Sequence, residues 1–348
     1  MTQPGSTGGT PPAVSVVMPC FNAEDTVEEA VESLLSGSWA DFEIIAVDDG
    51  STDGTLSRLH ALAAVDDRVK PLGRPHRGLI EALNAGWRAS RGELVARMDA
   101  DDRCHPDRLR KQVEMLRGHP GLAAVGSLVR SFPPEAVRGG FRRYVQWLNS
   151  LVEPDEIARD IFVESPLAHP SVVMRRSWLE KMEGYQEFGW AEDYDLWLRM
   201  HLAGARFGKV PEVLLYWREH EGRATRTDSR YSVQNFLKAK AHYLMKGPLS
   251  GRKAVFIWGT GQMGRRLSSH LLREEAPIVA FIDIDPRKIG GRKRGRPVIG
   301  QRDLQEWWSR YEKPALISAV GSHGAREEIR SYLGAHNFVE GEDFWAAA

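Results

Sequence analysis

In the stretch VARMDADDRCHP, from Val95 to Pro106, an apolar run ends in Asp99, Asp101 and Asp102, three carboxylates within four positions. Like charges this close repel one another unless something positive sits among them. Hard divalent cations take carboxylate oxygens as ligands, and Asp99 and Asp101, two apart where a strand has ended, can turn towards one ion. The alternative is an acidic turn in which Asp99 and Asp102 serve as caps ahead of Pro106, itself suited to a first helical position. A second acidic group, VDDGSTDGT, places Asp48 and Asp49 beside Gly50, with Asp53 and Gly54 as turn and helix-cap residues. A third, WAEDYDLWLRM, reads as a helix start with Glu192 and Asp193 in its first turn, where the macrodipole favours carboxylates. Asp195 points elsewhere and supports packing.

These groups need elements to position them. The β-branched run Ala13–Met18 predicts a buried strand that Pro19 stops. Asp25 with Glu28 opens a helix, and Val27, Ala30, Val31, Leu34 and Leu35 fall on its one apolar face. Glu43–Val47 predicts a second strand, LSRLHALAA and GLIEALNAGWRAS two further helices, and GELVARM a further strand. Strands alternating with helices indicate a parallel sheet covered on both faces, and ligands bind such sheets beyond the carboxyl ends of the strands. The loops PCFN, DDGSTDGT and DADD all occupy that edge.

The 348 residues suggest two domains, and 42% hydrophobic with 27% charged residues is ordinary for a globular protein. The 47 basic and 47 acidic side chains cancel, which argues against a nucleic-acid or anionic-membrane partner drawn in by a global field. Cys20 and Cys104 offer neither a disulfide framework nor zinc spacing and fit a reducing cytoplasm. The opening MTQPGSTGGTPP lacks a basic region and an apolar run and reads as a flexible tail over residues 1–12. No stretch approaches the roughly 18 apolar residues of a membrane span.

Five segments in order, VSVVMPCFNAEDTVEEAVESLL, VDDGSTDGT, RGLIEALNAGWRASRGELVARMDADD, HPSVVMRR and AEDYDLWLR, closely resemble the family 2 glycosyltransferases of the GT-A fold. The resemblance spans Pro12 to Arg226. It implies an inverting transfer of a sugar from a nucleotide-diphosphate donor to an acceptor hydroxyl, in cell-surface polysaccharide or glycoconjugate synthesis. On this resemblance Asp99 and Asp101 form the DxD motif that holds Mg²⁺ or Mn²⁺ against the departing diphosphate, with His220 joining the metal shell. Asp48 and Asp49 would hydrogen-bond the base and ribose, while Pro19 and Phe21 line the base pocket. Phe21 stands where many relatives carry a tyrosine. Arg77, Gly78 and Asn84 would lie near the nucleotide. Asp193 would be the general base, with Glu192 orienting the acceptor or the site. Arg218 and Arg223 are secondary diphosphate candidates, and His169 is an acceptor-side residue or a satisfied core residue. Helix capping by Asp193 and surface roles for Arg77 and His220 stay open as alternatives.

The segment Phe141–Ile161, rich in Arg and Trp, shapes an acceptor pocket on this reading; the alternative is a basic aromatic helix resting on a membrane surface near lipid-linked acceptors at the inner face. Residues 247–253 form a linker by composition. Beyond it, AVFIWGTGQMGRRLSSHLL carries Gly259, Gly261 and Gly264, and IVAFIDIDP ends a strand at Asp283, nineteen positions beyond Gly264. Glycine turn, helix and acidic residue make a dinucleotide fingerprint, and the stretch resembles the small nucleotide-binding Rossmann domains attached to sugar-modifying enzymes. Glycines serving only tight turns are the alternative.

The expected architecture is α/β: a GT-A nucleotide-diphospho-sugar transferase domain over 13–246, with a mostly parallel central sheet, followed by a Rossmann-like accessory domain over 254–348. Such a linker predicts that residues 1–246 fold alone. The competing functions are a catalytically decayed nucleotide-sugar binding protein and an NAD-linked oxidoreductase built on the C-terminal fingerprint.

Overall fold

The segment FEIIAVD is buried at all seven positions, as a strand covered on both faces must be. It is one of eight strands in the first of two sheets in the computed structural model, which describes residues 10–348. Residues 1–9 of the expected tail lie outside the described residues. The strands are β1 (Val14–Cys20), β2 (Phe42–Asp48), β3 (Val69–Gly73), β4 (Leu94–Arg97), β5 (Arg103–Cys104), β6 (Leu122–Phe132), β7 (Val173–Arg175) and β8 (Arg206–Arg218). Their order across the sheet is β3-β2-β1-β4-β7-β6-β8-β5. β1, β2, β3 and β4 run parallel, and antiparallel β7 joins them to the parallel pair β6 and β8. The sheet is therefore mixed.

The helices Val27–Leu35, Thr55–Val65 and Leu79–Ala89 fall where periodicity predicts them. Val27, Ala30, Val31 and Leu34 turn inward against β1 and β2. Three details depart from expectation. Pro19 does not stop β1, which runs through it to Cys20, paired with Asp48. β3 was not foreseen, because V-K-P-L-G carries a proline, loses its apolar alternation and is only partly buried, as suits an edge strand. Pro106 stands outside the next helix, which runs Arg108–Gly118 with Asp107 at its N-cap, and the Pro106 carbonyl accepts Ser38 N–H at 2.9 Å. The segment Phe141–Ile161 forms two helices, Gly139–Ser150 and Pro154–Asp160.

The second sheet comprises β9 (Val255–Trp258), β10 (Ile278–Asp283), β11 (Arg292–Lys293), β12 (Arg296–Gly300), β13 (Ala315–Ser318) and β14 (Phe344–Ala346). Its order is β11-β12-β10-β9-β13-β14, with β11 alone antiparallel. The glycine turn follows central β9. Gly259 has φ +115°, and a Cβ on Gly264 would lie 1.9 Å from the Gly259 carbonyl oxygen, so the helix Gln262–Arg273 can pack this closely only without that side chain.

Packing divides the chain into two compact units that do not follow the expected boundary. One is Met1–Pro154, Leu167–Glu187 and Ala205–His220; the other is Asp155–Pro166, Phe188–Gly204 and Glu221–Ala348. Within the second unit, helix Val233–Lys246 belongs with the C-terminal sheet. Its buried Lys240 donates to the carbonyls of Val163 at 2.5 Å and Ala347 at 3.4 Å. Burial drives that ammonium below the usual lysine range. Buried Asp160 is paired with Arg330 and lies 3.6 Å from Arg326. The stretch 247–253, with two glycines and a proline, reads as a linker locally, yet these bonds span it.

A fragment ending at Lys246 forfeits Arg326, Arg330 and the Ala347 carbonyl together, leaving Asp160 and Lys240 without these partners. It should be insoluble or melt without a cooperative transition. A soluble fragment with a sharp calorimetric transition would contradict this division.

Candidate active site

Because β1, β2 and β4 run parallel, their carboxyl ends share one edge. Cys20 pairs in register with Asp48, Asp49 N–H donates to the Cys20 carbonyl at 2.9 Å, and Met98 N–H donates to Val17 at 3.1 Å. The loops bearing Asp48–Asp49 and Asp99–Asp102 are thus brought together from positions fifty residues apart. The buried Cys20 thiol registers both: burial pushes its pKa up, and the charges of Asp48 and Asp99 push it further.

One carboxylate oxygen from each of Asp99, Asp101 and Asp102 lies within 4.8 Å of the others. Basic and N–H groups interleave them. Buried Arg97 pairs with Asp99, and His220 Nε2 is 2.9 Å from Asp101 Oδ2. Asp102, itself buried, accepts the Arg218 N–H at 2.7 Å, and Arg218 Nε donates to the Asp101 carbonyl at 2.5 Å. Beneath them Arg108 is buried completely, which lowers its pKa to about 10. It donates to the Arg97 carbonyl at 2.6 Å and to Gln112 Oε1 at 3.2 Å, while Gln112 donates to the carbonyls of Val125 and Ser171. This buried chain of bonds holds the end of β4. Carboxylate oxygens grouped this closely with an imidazole beside them match the donor preferences of a hard divalent cation.

Asp48 and Asp49 have different surroundings. Asp48 is buried; its Oδ2 accepts Ser51 N–H at 3.2 Å, and its Oδ1 has no hydrogen-bond partner. Asp49 accepts the N–H groups of Arg77 at 3.1 Å and Gly78 at 2.7 Å, and lies 2.9 Å from His76 Nδ1 and 3.4 Å from Arg74. Asp49 thereby fixes the loop entering helix Leu79–Ala89, where Gly78 takes φ +89°. The ring of half-exposed Phe21 stacks on His76, centroids 4.3 Å apart. The only local sequence signal for His76 is its place in GRPHRG. The Arg77 side chain is exposed, and Pro19 lies at the end of β1.

Asn84 is buried under this edge. Its Oδ1 accepts Tyr185 N–H at 3.0 Å and Trp87 Nε1 at 2.9 Å, and its Nδ2 donates to the Tyr185 carbonyl at 2.9 Å. A Cβ on Gly184 would lie 2.5 Å from Asn84 Oδ1. The amide joins a helix to a loop 101 residues distant. His169, also buried, lies 2.9 Å from the Tyr185 hydroxyl.

The second unit holds the other expected catalytic pair at the start of helix Glu192–Leu202. Glu192 is buried and accepts the Tyr231 hydroxyl at 2.8 Å. Asp193 is half-buried and accepts Tyr194 N–H at 2.7 Å. Burial, then the charges of Glu192 and Asp193, push the Tyr231 pKa well above the phenol range, so the phenol stays a donor. Asp195 has the packing role expected: Trp190, Tyr243 and Arg199 all donate to it, at 2.8, 2.6 and 2.7 Å. Arg223 is buried in this unit too.

At the glycine turn of the same unit, nothing lies within 4 Å of a Cβ built on Gly261. Asp283 accepts Thr260 N–H at 3.2 Å, the Thr260 hydroxyl, Lys288 at 3.0 Å and Asp285 N–H at 3.0 Å. Burial alone would raise its pKa, but these bonds, the Thr260 hydroxyl foremost, pull it down to about 2. The acidic position of the fingerprint is thus already bonded to its own turn.

Comparison with known proteins gives a consistent answer. The family profile described as Glycosyl transferase family 2 matches residues 15–183. Bacillus subtilis EpsE, assigned to the glycosyltransferases, is 36% identical over 245 residues, covering 69% of this chain and 85% of its own. The amylovoran biosynthesis glycosyltransferase AmsE of Erwinia amylovora is 29% identical, covering 71% of this chain and 89% of its own. Among solved structures, S. aureus TarS 1–349 in complex with UDP-GlcNAc superposes with a TM-score of 0.56 at 18% identity, over 75% of this chain and 72% of that one. The last is a likeness of fold.

The bonding of Asn84 predicts a structural role. Asn84→Ala should lower unfolding free energy by about 1–3 kcal/mol, the penalty for buried polar groups left without a partner, with the donor KM unchanged. Denaturant titration and steady-state kinetics check both, and a raised KM at unchanged stability would put Asn84 on the donor instead.

Proposed function

The chain belongs to the family 2 glycosyltransferases, and from that premise we propose an inverting, metal-dependent transfer of a sugar from a nucleotide-diphosphate donor to an acceptor hydroxyl, in surface polysaccharide or glycoconjugate synthesis. The observation that carries the reading is the acidic edge of the first sheet, where Asp99, Asp101 and Asp102 group within 4.8 Å and His220 lies 2.9 Å from Asp101. The role of AmsE in amylovoran biosynthesis and the UDP-GlcNAc held by TarS support a polysaccharide product and a nucleotide-sugar donor.

In this mechanism Asp99 and Asp101 would hold Mg²⁺ or Mn²⁺, with His220 beside them, and the bound ion would supply the positive charge that a departing diphosphate needs. Asp48, with an oxygen lacking a partner, accepts a hydrogen bond from the nucleoside. Phe21 and His76 offer the base a flat wall. Asp49 acts through the loop it holds, keeping His76 and Arg77 at the edge. Asp193 takes the proton of the attacking hydroxyl, and Glu192, held by Tyr231, orients the acceptor. Attack by one activated hydroxyl displaces the diphosphate in a single step, so the anomeric centre inverts. The acceptor is a saccharide or a lipid-linked saccharide. No helix among the described residues is long and apolar enough to cross a membrane.

Asp193→Asn keeps the side-chain shape and the capping capacity but removes the base. The turnover number should fall by about 10²–10⁴ with donor KM within a few-fold, and NMR of the wild-type product should show a β-linkage from an α-linked donor. Full activity in the asparagine variant, or retained configuration, would rule the mechanism out.

A further inference from the structure

The helix Gln262–Arg273 has a second face that neither the glycine turn nor the transfer reaction uses. Gln262, Arg265, Arg266, Ser269, His270 and Arg273 follow one another at i, i+3, i+4, i+7, i+8 and i+11, a single stripe along the helix. Gly264, Leu267 and Leu271 are buried on the other side. This polar stripe borders an open hollow of about 350 Å³, flanked by Gln234 from helix Val233–Lys246 and by Arg294 from the turn between β11 and β12.

Four of the eight lining residues are arginines and none is a carboxylate. Elsewhere arginines on helices find acids one turn away, as Arg110 does with Glu114 and Arg176 with Glu180. Three and four positions from Arg265, Arg266 and Arg273 stand only glycine, glutamine, serine, histidine, methionine, alanine and proline, and Glu274, next to Arg273 in sequence, lies 3.4 Å from His242 instead. Neither Arg266 nor Arg273 has an ion pair among the described residues. Arg294 is fixed in place: it donates to the Arg265 carbonyl at 2.7 Å and to Ser268 Oγ at 3.2 Å, and holds φ +48°, which an arginine adopts only at a cost. His270 Nε2 lies 3.0 Å from Gln234 Oε1. Burial, then the charges of Arg273 and Lys238, keeps the ring on the neutral side. A positive hollow of this size, lined by three elements and with no carboxylate among its lining residues, suits an anion.

We propose that this hollow binds a compact, multiply charged phosphate of diphosphate size. Guanidinium forks match phosphate oxygens in pairs, and the volume exceeds that of a single phosphate while falling at the small end of ligand pockets. The phosphate is either a free diphosphate or the diphosphate head group of a lipid.

Calorimetric titration of the full chain with sodium pyrophosphate, in EDTA so that acidic sites hold no divalent cation, tests the hollow directly. Saturable binding should appear and weaken at least about tenfold in Arg266→Gln/Arg273→Gln, the fold-change of losing one charge-assisted hydrogen bond, with the melting temperature unchanged. Arg265→Gln alone should weaken it in the same direction and serves if the double variant melts early. Co-sedimentation with phosphatidylcholine vesicles carrying a lipid diphosphate, competed by pyrophosphate, assigns the head-group source; pyrophosphate binding without vesicle binding assigns the free one. The proposal is overturned if wild type shows no saturable binding, or if the arginine variants bind as wild type does. Equal binding to phosphatidylserine vesicles without competition by pyrophosphate would also overturn it, since that marks an unspecific basic surface.

Discussion

Three carboxylates crowded at the end of β4 set the terms for the first unit. At an effective dielectric of about 20, two unit charges 4.8 Å apart repel by roughly 3–4 kcal/mol. Arg97 pairs with the first, His220 with the second, and the third accepts a backbone N–H from Arg218. Those partners come from β4 itself and from the end of β8 and the residues after it, so the acidic loop is held between two strands of one sheet. Arg108 and Gln112 secure the same strand end from below, through carbonyls on β4, β6 and the turn before β7. The cluster can exist because the sheet supplies basic and N–H groups on either side of it.

The other functional side chains at this edge divide by what surrounds them. Asp48 and Asp49 are neighbours in sequence, yet Asp48 keeps an oxygen without a partner while Asp49 is bonded to the loop 74–78. In the second unit the same division separates Asp193, half-buried at a helix start, from Asp195, which three donors enclose. In both places one carboxylate of the pair is enclosed by several donors that fix its surroundings.

Much of this could be read from the residues. Alternation located β1, β2, β4 and three helices to within a few residues, since their apolar periods are uninterrupted. The ordered motifs identified the family, and Asp99 with Asp101 does stand in a cluster suited to a cation. What escaped depends on contacts distant in sequence. Asn84 lies in a motif near the nucleotide loop, but its partner Tyr185 is 101 positions away and no spacing rule connects them. β3 contains a proline at a sheet edge. The stretch 247–253 has linker composition, while Lys240 before it bonds Ala347 near the C-terminal end of the sequence. Asp283 follows its glycines at the expected interval, yet Thr260 and Lys288 already occupy its carboxylate.

The proposed transfer depends most on the acidic edge of the first sheet holding a divalent cation. Crystals soaked with Mn²⁺ and a nucleoside diphosphate should give an anomalous difference peak bonded to Asp99 or Asp101, at the oxygen-ligand distances of roughly 2.0–2.3 Å typical of small divalent ions. A peak confined to other residues, or a nucleotide bound at full occupancy with no peak at these aspartates, would contradict it.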